Sequence, residues 1–396
     1  MELAQTLAAI RDYQQKNRDE IIVFAGELVR IPSQTGQEEE LAKHIAAKMM
    51  HLGYDEVEID AYGSVIGRVG SGPLRIIADA HIDTVAVSDA ADWLFNPYAG
   101  VIHEGKLYGR GASDMKAAVA AIVYAGAAMK ELALLQGKSL YISTSVLEED
   151  YDGEALYHIC QKVQPQLALI CEPTNNILCQ GQKGRAVLEV HFNGISAHGS
   201  APEDGDNAVY KTAAVITAIE ELGNQLIAAK GEQGSLALTR IESEAVSLNA
   251  IPTRCTLYLD RRLVVGQDYP YIEEEMNKLL SGTAGRWQVH DAKGRAWTGK
   301  EVVLHSFLPA WEIALDHPLA RSFTAAYRSL WGREPTYRKW DFSTNGVATA
   351  KLGIPTIGFG PGDDKMAHLR DEYASVDQIG DAVIFYALAL WLTPEG

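Results

Sequence analysis

The sequence predicts an α/β fold with a mainly parallel sheet and a second, smaller unit inserted into it. Three observations predict this. Short apolar runs bounded by Gly and Pro alternate with helical stretches, as strands buried on both faces do. Acidic and histidine residues stand just where several of those runs stop. Between about residues 184 and 298 the pattern changes to β-α-β-β-α-β, the order of a ferredoxin-like unit. The chain therefore divides into residues 1–183, 184–298 and 299–396, the first and last forming one domain around the insertion.

Residues 1–52 are helical in pattern. "AYGSVIGRVG" and "PLRIIADAH" follow as strands punctuated by Gly and Pro. "DMKAAVAAIVYAGAAMKEL" (114–132) is Ala-rich and apolar all round, a buried helix with Asp114 at its start. "SLYISTSVLEED" and "QLALICEPT" are strands that end in acids, and "IPTIGFGPG" (354–362) repeats the theme. A final helix is expected over about 376–392. In the insertion, "RAVLEVHFNG", "GSLALTRIES", "RCTLYLDRRL" and "RWQVHDA" read as strands. "DNAVYKTAAVITAIEELGNQL" and "YIEEEMNKLLSG" read as its helices.

Composition narrows the function. The 396 residues carry a formal net charge of −17. Nucleic acid and anionic membranes need a basic face, so neither is expected as a partner. The longest nearly apolar stretch, "AAVAAIVYAGAAM" (117–129), falls short of the ~20 residues a span requires. The N-terminus is polar and periodic, unlike a secretory signal. Cys160, Cys171, Cys179 and Cys255 form no CxxC pair, which suits thiols in a reducing, cytoplasmic setting.

Ligands of open α/β sheets bind beyond the carboxyl ends of the strands. There this chain collects His81 and Asp83 after "RIIADA", Glu148 and Glu149 after "LYISTSVL", and Glu172 after "LALIC". His368 follows "TIGFGPG" by a short loop, and Asp114 sits on the Gly-rich "YGRGAS" loop. Singly, each is weak: HxD and EE pairs are common on surfaces, and Asp114 could be a plain helix cap. Converging on one rim, they form a metal site. Mixed imidazole and carboxylate donors suit zinc or a similar divalent ion. Two ions sharing a bridging carboxylate would use all of the donors. Asp83, two residues beyond His81 in an extended chain, could accept the second N–H of its ring. Adjacent Glu148 and Glu149 point apart, so one can bind metal while the other acts as general base.

"DAHIDTV", "GRGASDMK", "EED", "CEPT" and "MAHLRDE" together resemble the dinuclear-zinc aminoacylase/carboxypeptidase superfamily. It includes acetylornithine deacetylase, succinyl-diaminopimelate desuccinylase and the glutamate carboxypeptidases. "KWDFSTNG" and "FGPG" look most like a subgroup of hydrolases linked to selenium metabolism. The resemblance implies a zinc-hydrolase catalytic domain with an inserted lid and dimerisation domain. It implies two zinc ions, with cobalt or manganese as substitutes. Asp114 would bridge them; His81 and Glu172 would complete one site, Glu149 and His368 the other. Glu148 resembles the general base and Asp83 the carboxylate behind His81.

In "ISAHGSAPEDGDNA", His198 resembles a histidine that reaches a neighbouring subunit's site to stabilise the oxyanion, which implies a homodimer joined through the lid. In "NAIPTRCTLYLDRR", Arg262 falls on a substrate-carboxylate arginine and Asn249 on an asparagine beside the substrate. The chain departs from the family pattern at Ala117, at Asp152-Gly153 and at "FSTNG" (342–346), where Asn345 and Ser343 offer neutral hydrogen bonds to substrate.

The expected activity is metal-dependent hydrolysis of the amide bond of a small N-acyl amino acid. A dipeptidase or exocarboxypeptidase with the same mechanism is the alternative. A catalytically silent metal-bound binding protein is the alternative of another class, and the intact Glu148 argues against it.

Overall fold

The structure is a computed structural model that describes residues 2–230 and 232–394. Among the described residues the central sheet has nine strands. Its middle is four parallel strands in the order Lys138–Thr144, Leu74–Asp79, Leu167–Ile170, Thr356–Gly358. Antiparallel strands flank them: Val65–Gly70 and Glu56–Ile59 on one side, Leu178–Gln182 and Trp311–Glu312 on the other. Tyr337–Trp340 lies parallel to Leu178–Gln182.

Helices cover both faces of this sheet, so its strands are apolar on both sides. Ile76 and Ala78 pack into the layer that holds the helices Ala117–Glu131 and Val376–Leu392. Ile77, pointing the other way, packs with Leu156 and Ile159 of the helix Glu154–Val163. Every residue from Ala117 to Met129 is buried, which explains an Ala-rich helix with no polar stripe. A fully buried Ile or Leu contributes about 2 kcal/mol, so this double coverage dominates the stability of the parallel strands.

One expected boundary differs. The helix begins at Ala117, not at Asp114. Asp114 (φ −119°, ψ 92°) and Met115 (φ −137°, ψ 41°) lie outside helical geometry, and the peptide bond joining them is cis. Asp114 is therefore not a helix cap; it projects from an irregular turn.

The insertion has the expected element order: Gly184–Asn193, Ala208–Ala228, Ser235–Glu244, Arg254–Leu263, Tyr269–Leu279, Arg286–Val289. Its antiparallel sheet runs Ser235–Glu244, Arg254–Leu263, Gly184–Asn193, Arg286–Val289 in space. This is the ferredoxin-like arrangement, with its own core of Leu188, Val190, Leu257, Leu259, Ile272 and neighbours. A hairpin, Asp291–Arg295 with Glu301–His305, then leads back to the large domain. Its tip docks there: Thr298 Oγ1 donates to the Ala61 carbonyl at 2.8 Å and Trp297 Nε1 to that of Gly63 at 3.3 Å.

Candidate metal centre

The parallel strands deliver their C-terminal ends to one rim. His81 follows Leu74–Asp79, Glu148 and Glu149 follow Lys138–Thr144, and Glu172 follows Leu167–Ile170. His368 arrives on the loop after Thr356–Gly358, and Asp114 on the turn before the buried helix. Sheet and helix thus bring together six side chains that lie up to 287 residues apart in sequence.

Two donor groups result, His81–Asp114–Glu172 and Asp114–Glu149–His368, with Asp114 common to both. His81 Nε2 lies 3.0 Å from Asp114 Oδ1, 3.7 Å from Glu172 Oε1 and 3.8 Å from Glu148 Oε2. His368 Nε2 lies 2.9 Å from Glu149 Oε2 and 3.4 Å from Asp114 Oδ2. His81 and Glu172 are buried, whereas His368 is half exposed and borders the solvent. Its φ of 63° is a left-handed conformation, uncommon for a non-glycine residue.

The electrostatics fit a cation. Burial pushes the Glu148 and Glu172 carboxyls well above their usual range, against the pull of His81, and raises Glu149 too. Burial alone would lower His81, but Glu148, Asp114, Asp83 and Glu172 outweigh it and hold the imidazole well above its usual value. Hydrogen bonds to Asp114 and Glu149 raise His368 to about 10. Asp114, though buried, is held below its usual value by the two histidines. Four carboxylates facing two imidazoles leave a surplus of acidic groups in a largely buried cluster, which a divalent cation would offset. The nitrogen and oxygen donors suit zinc, and among the described residues no cysteine joins them.

Asp83 faces the His81 ring with both its main chain and its carboxylate. His81 Nδ1 sits 3.0 Å from the Asp83 main-chain carbonyl and 3.6 Å from its carboxylate Oδ1. The main chain therefore makes the shorter contact to the ring. The carboxylate also accepts the N–H of Glu148 at 2.9 Å, the N–H of Glu149 at 3.0 Å and the Thr35 hydroxyl at 2.9 Å.

The lid residues form separate groups. His198 is exposed and lies near Asn249, Nδ2 to Nε2 3.4 Å, with Ser200 Oγ 2.7 Å from its Nδ1. Among the described residues neither His198 nor Asn249 hydrogen-bonds the histidine–carboxylate cluster. Arg262 is already engaged: Nε and Nη2 donate to the two Asp260 oxygens at 2.8 and 3.3 Å. Arg185 Nε donates to the same carboxylate at 3.2 Å. The two-nitrogen face expected to grip a substrate carboxylate is thus turned on Asp260, its neighbour two residues back on the strand.

Asn345 departs further. It is buried, and its amide nitrogen donates to Asp79 Oδ2 at 2.9 Å and Ser145 Oγ at 2.8 Å. Its oxygen accepts the Gly153 N–H at 2.7 Å. The two amide N–H groups are thus both engaged inside the protein, as is the oxygen. Ser343, by contrast, stands beside the buried Asp152 carboxylate, near Arg185 and Arg262.

Sequence reasoning missed three residues that hold this site: Glu38, Arg110 and Glu372. Glu38 is fully buried, and its Oε1 accepts the N–H groups of Gly36 at 3.0 Å and Leu147 at 3.2 Å. Leu147, just before the glutamate pair, has a left-handed φ of 69°. Two of them lie inside motifs the sequence singles out, Arg110 in "GRGASDMK" and Glu372 four residues beyond His368 in "MAHLRDE", whereas Glu38 left no such signal.

Comparison with known proteins agrees with this architecture. Residues 77–391 match the model of peptidase family M20/M25/M40. The uncharacterized protein YgeY of Escherichia coli K12 is 33% identical over 98% of each chain. The succinyl-diaminopimelate desuccinylase of Corynebacterium glutamicum is 28% identical over 91% of this chain and 93% of its own. Bacillus subtilis YXEP, described as a dinuclear metal binding peptidase, superposes with a TM-score of 0.69 at 13% identity, over 95% of this chain and 98% of that one. The sequence match over most of the chain carries the assignment, and the fold and donor chemistry accord with it: the chain belongs to peptidase family M20/M25/M40, as a metal-dependent hydrolase.

Proposed function

We propose that this enzyme hydrolyses the amide bond of a small N-acyl amino acid, using two zinc ions. The observation that carries the proposal is the meeting of His81, Asp114, Glu149, Glu172 and His368 around one spot with Glu148 beside it. His81, Asp114 and Glu172 would hold one ion and Asp114, Glu149 and His368 the other. Bound there, divalent ions polarise a carbonyl and acidify water.

Glu148 acts as general base at its carboxylate, taking a proton from the attacking water and later giving it to the leaving amine as the C–N bond breaks. Burial favours this role by keeping Glu148 more basic than a surface carboxylate. Asp83 holds the main chain of Glu148 and Glu149, and so aims both side chains. Residues 184–298 act as a lid whose closure excludes water.

His198 and Asn249, exposed on the lid, would serve the site of a second subunit. The long strand Ser235–Glu244 at the lid-sheet edge offers a pairing surface for such a homodimer. Arg262 and Ser343 would border the leaving group. The four cysteines are buried and unpaired, which supports a cytoplasmic setting. No helix among the described residues is long and apolar enough to cross a membrane.

A dipeptidase is the second reading, and Asp152 favours it. This buried acid lies on the loop after Glu149 and could pair with a free ammonium group. Hydrolysis of matched N-acyl amino acids and dipeptides by zinc-loaded protein decides between them. Cleavage of the acyl series supports the first reading, cleavage of dipeptides alone the second, and cleavage of neither contradicts both.

A further inference from the structure

We propose that Arg110 and Glu372 form a buried brace that positions Asp114 and His368, and so sets the Asp114–Glu149–His368 donor group. The inference rests on the two-ion reading above. It goes beyond that reading by assigning a role to two side chains outside both donor groups.

Glu372 is fully buried and each of its oxygens accepts two bonds from the turn that carries Asp114. Oε1 accepts the N–H of Ser113 at 2.8 Å and of Asp114 at 3.0 Å. Oε2 accepts the N–H of Gly111 at 3.1 Å and Arg110 Nη1 at 2.7 Å. The turn wraps closely: Gly111 has φ 83°, and a Cβ there would come within 2.8 Å of Thr84. Arg110 then reaches the histidine loop. Its Nη1 donates to the Leu369 carbonyl at 3.3 Å and its Nη2 to the His368 carbonyl at 3.4 Å. The guanidinium sits 5.2 Å from the Trp93 ring, which closes its remaining side. Glu372 is anchored in turn, because the next residues, Tyr373–Ser375, pair with Lys106–Tyr108.

One ion pair thus ties the Asp114 turn to the loop of His368, a residue in an unfavourable left-handed conformation. His81 and Glu172 need no such brace, since they leave strands of the central sheet directly. Loss of the brace should therefore weaken both donor groups through their shared Asp114, and weaken most the one that also holds His368. Arg110 and Glu372 are positioning residues that act through Asp114 and His368.

Zinc titration of metal-free protein by calorimetry tests this, with no need of a substrate. Wild type should bind two ions. The double variant Arg110→Met/Glu372→Gln, which removes both buried charges together, should weaken the His81–Asp114–Glu172 ion only several-fold, through the shared Asp114. Its other ion should bind about 10–100-fold more weakly, the range for lost outer contacts at metal sites. Arg110→Lys keeps the ion pair if the double variant fails to fold. With one nitrogen in place of three, it should still weaken the second ion several-fold. Two ions bound with unchanged affinity in either variant, or both ions weakened alike, would overturn the brace and leave the two-ion reading standing. Fewer than two ions in wild type would overturn that reading, and the brace with it.

Discussion

The Asp83 carboxylate accepts the main-chain N–H of Glu148 at 2.9 Å, and its other oxygen accepts that of Glu149 at 3.0 Å. One buried acid therefore fixes the backbone of both the proposed base and a proposed metal ligand. The His81 ring meanwhile makes its shorter contact to the Asp83 main chain, which no side-chain substitution removes.

Asp83→Asn should accordingly impair turnover more than metal binding. An amide can accept only one of the two N–H groups, so Glu148 or Glu149 loses its anchor. We expect kcat to fall by about 10–100-fold while both ions remain bound. Steady-state kinetics with metal analysis on the same sample checks this; loss of the ion at His81 would point to the carboxylate as the ring's real anchor.

Glu148→Gln should keep both ions, because Glu148 belongs to neither donor group. Removal of a general base costs typically 10²–10⁴-fold in rate, and kcat should fall within that range. Full activity in the variant would sink the assignment of Glu148.

Glu38 gives a pH signature. Burial, with Asp83 nearby, raises its carboxyl to about 7 in the folded protein. A carboxyl raised on folding binds more protons folded than unfolded, so stability falls as pH rises from its unfolded value through about 7. Both of its N–H partners bond to Oε1, which a glutamine retains. Glu38→Gln should match wild type at pH 5 and be more stable at pH 8. Thermal melts at the two pH values, with equal metal loading, check this; equal loss of stability in both proteins would contradict it.

Asn345 should behave as a structural residue. Asn345→Ala strips two donors and an acceptor from buried Asp79, Ser145 and Gly153. Leaving buried polar groups unpaired costs about 1–3 kcal/mol each, so denaturant melts should show a loss of at least that size. KM should change little. A large rise in KM with unchanged stability would restore a substrate contact.

Much of the fold was legible because burial leaves a periodic trace. Runs such as "LALI" mark strands covered on both faces, and the switch to alternating runs after residue 184 marks a sheet covered on one. The donor residues were legible because they interrupt apolar runs at strand ends. Single-residue geometry was not. Nothing in "GRGASDMK" shows that Asp114 stands on an irregular turn three residues before the helix. Nor does sequence reveal that Glu38 and Glu372 meet amides 109 and 258 residues away. Such contacts depend on chain crossings, which carry no period. The pairing of Arg262 with Asp260 is a different case. Residues two apart on a strand share a face, so "LDRR" already held the sign that this arginine has a partner of its own.

The central claim is that the five histidine and carboxylate donors hold two ions. The most direct measurement is the number of metal ions per chain after zinc loading and removal of excess metal. Two per wild-type chain is the expected result, falling to one in His368→Ala, which leaves the His81–Asp114–Glu172 group whole. One ion or none in the wild-type chain would contradict the claim.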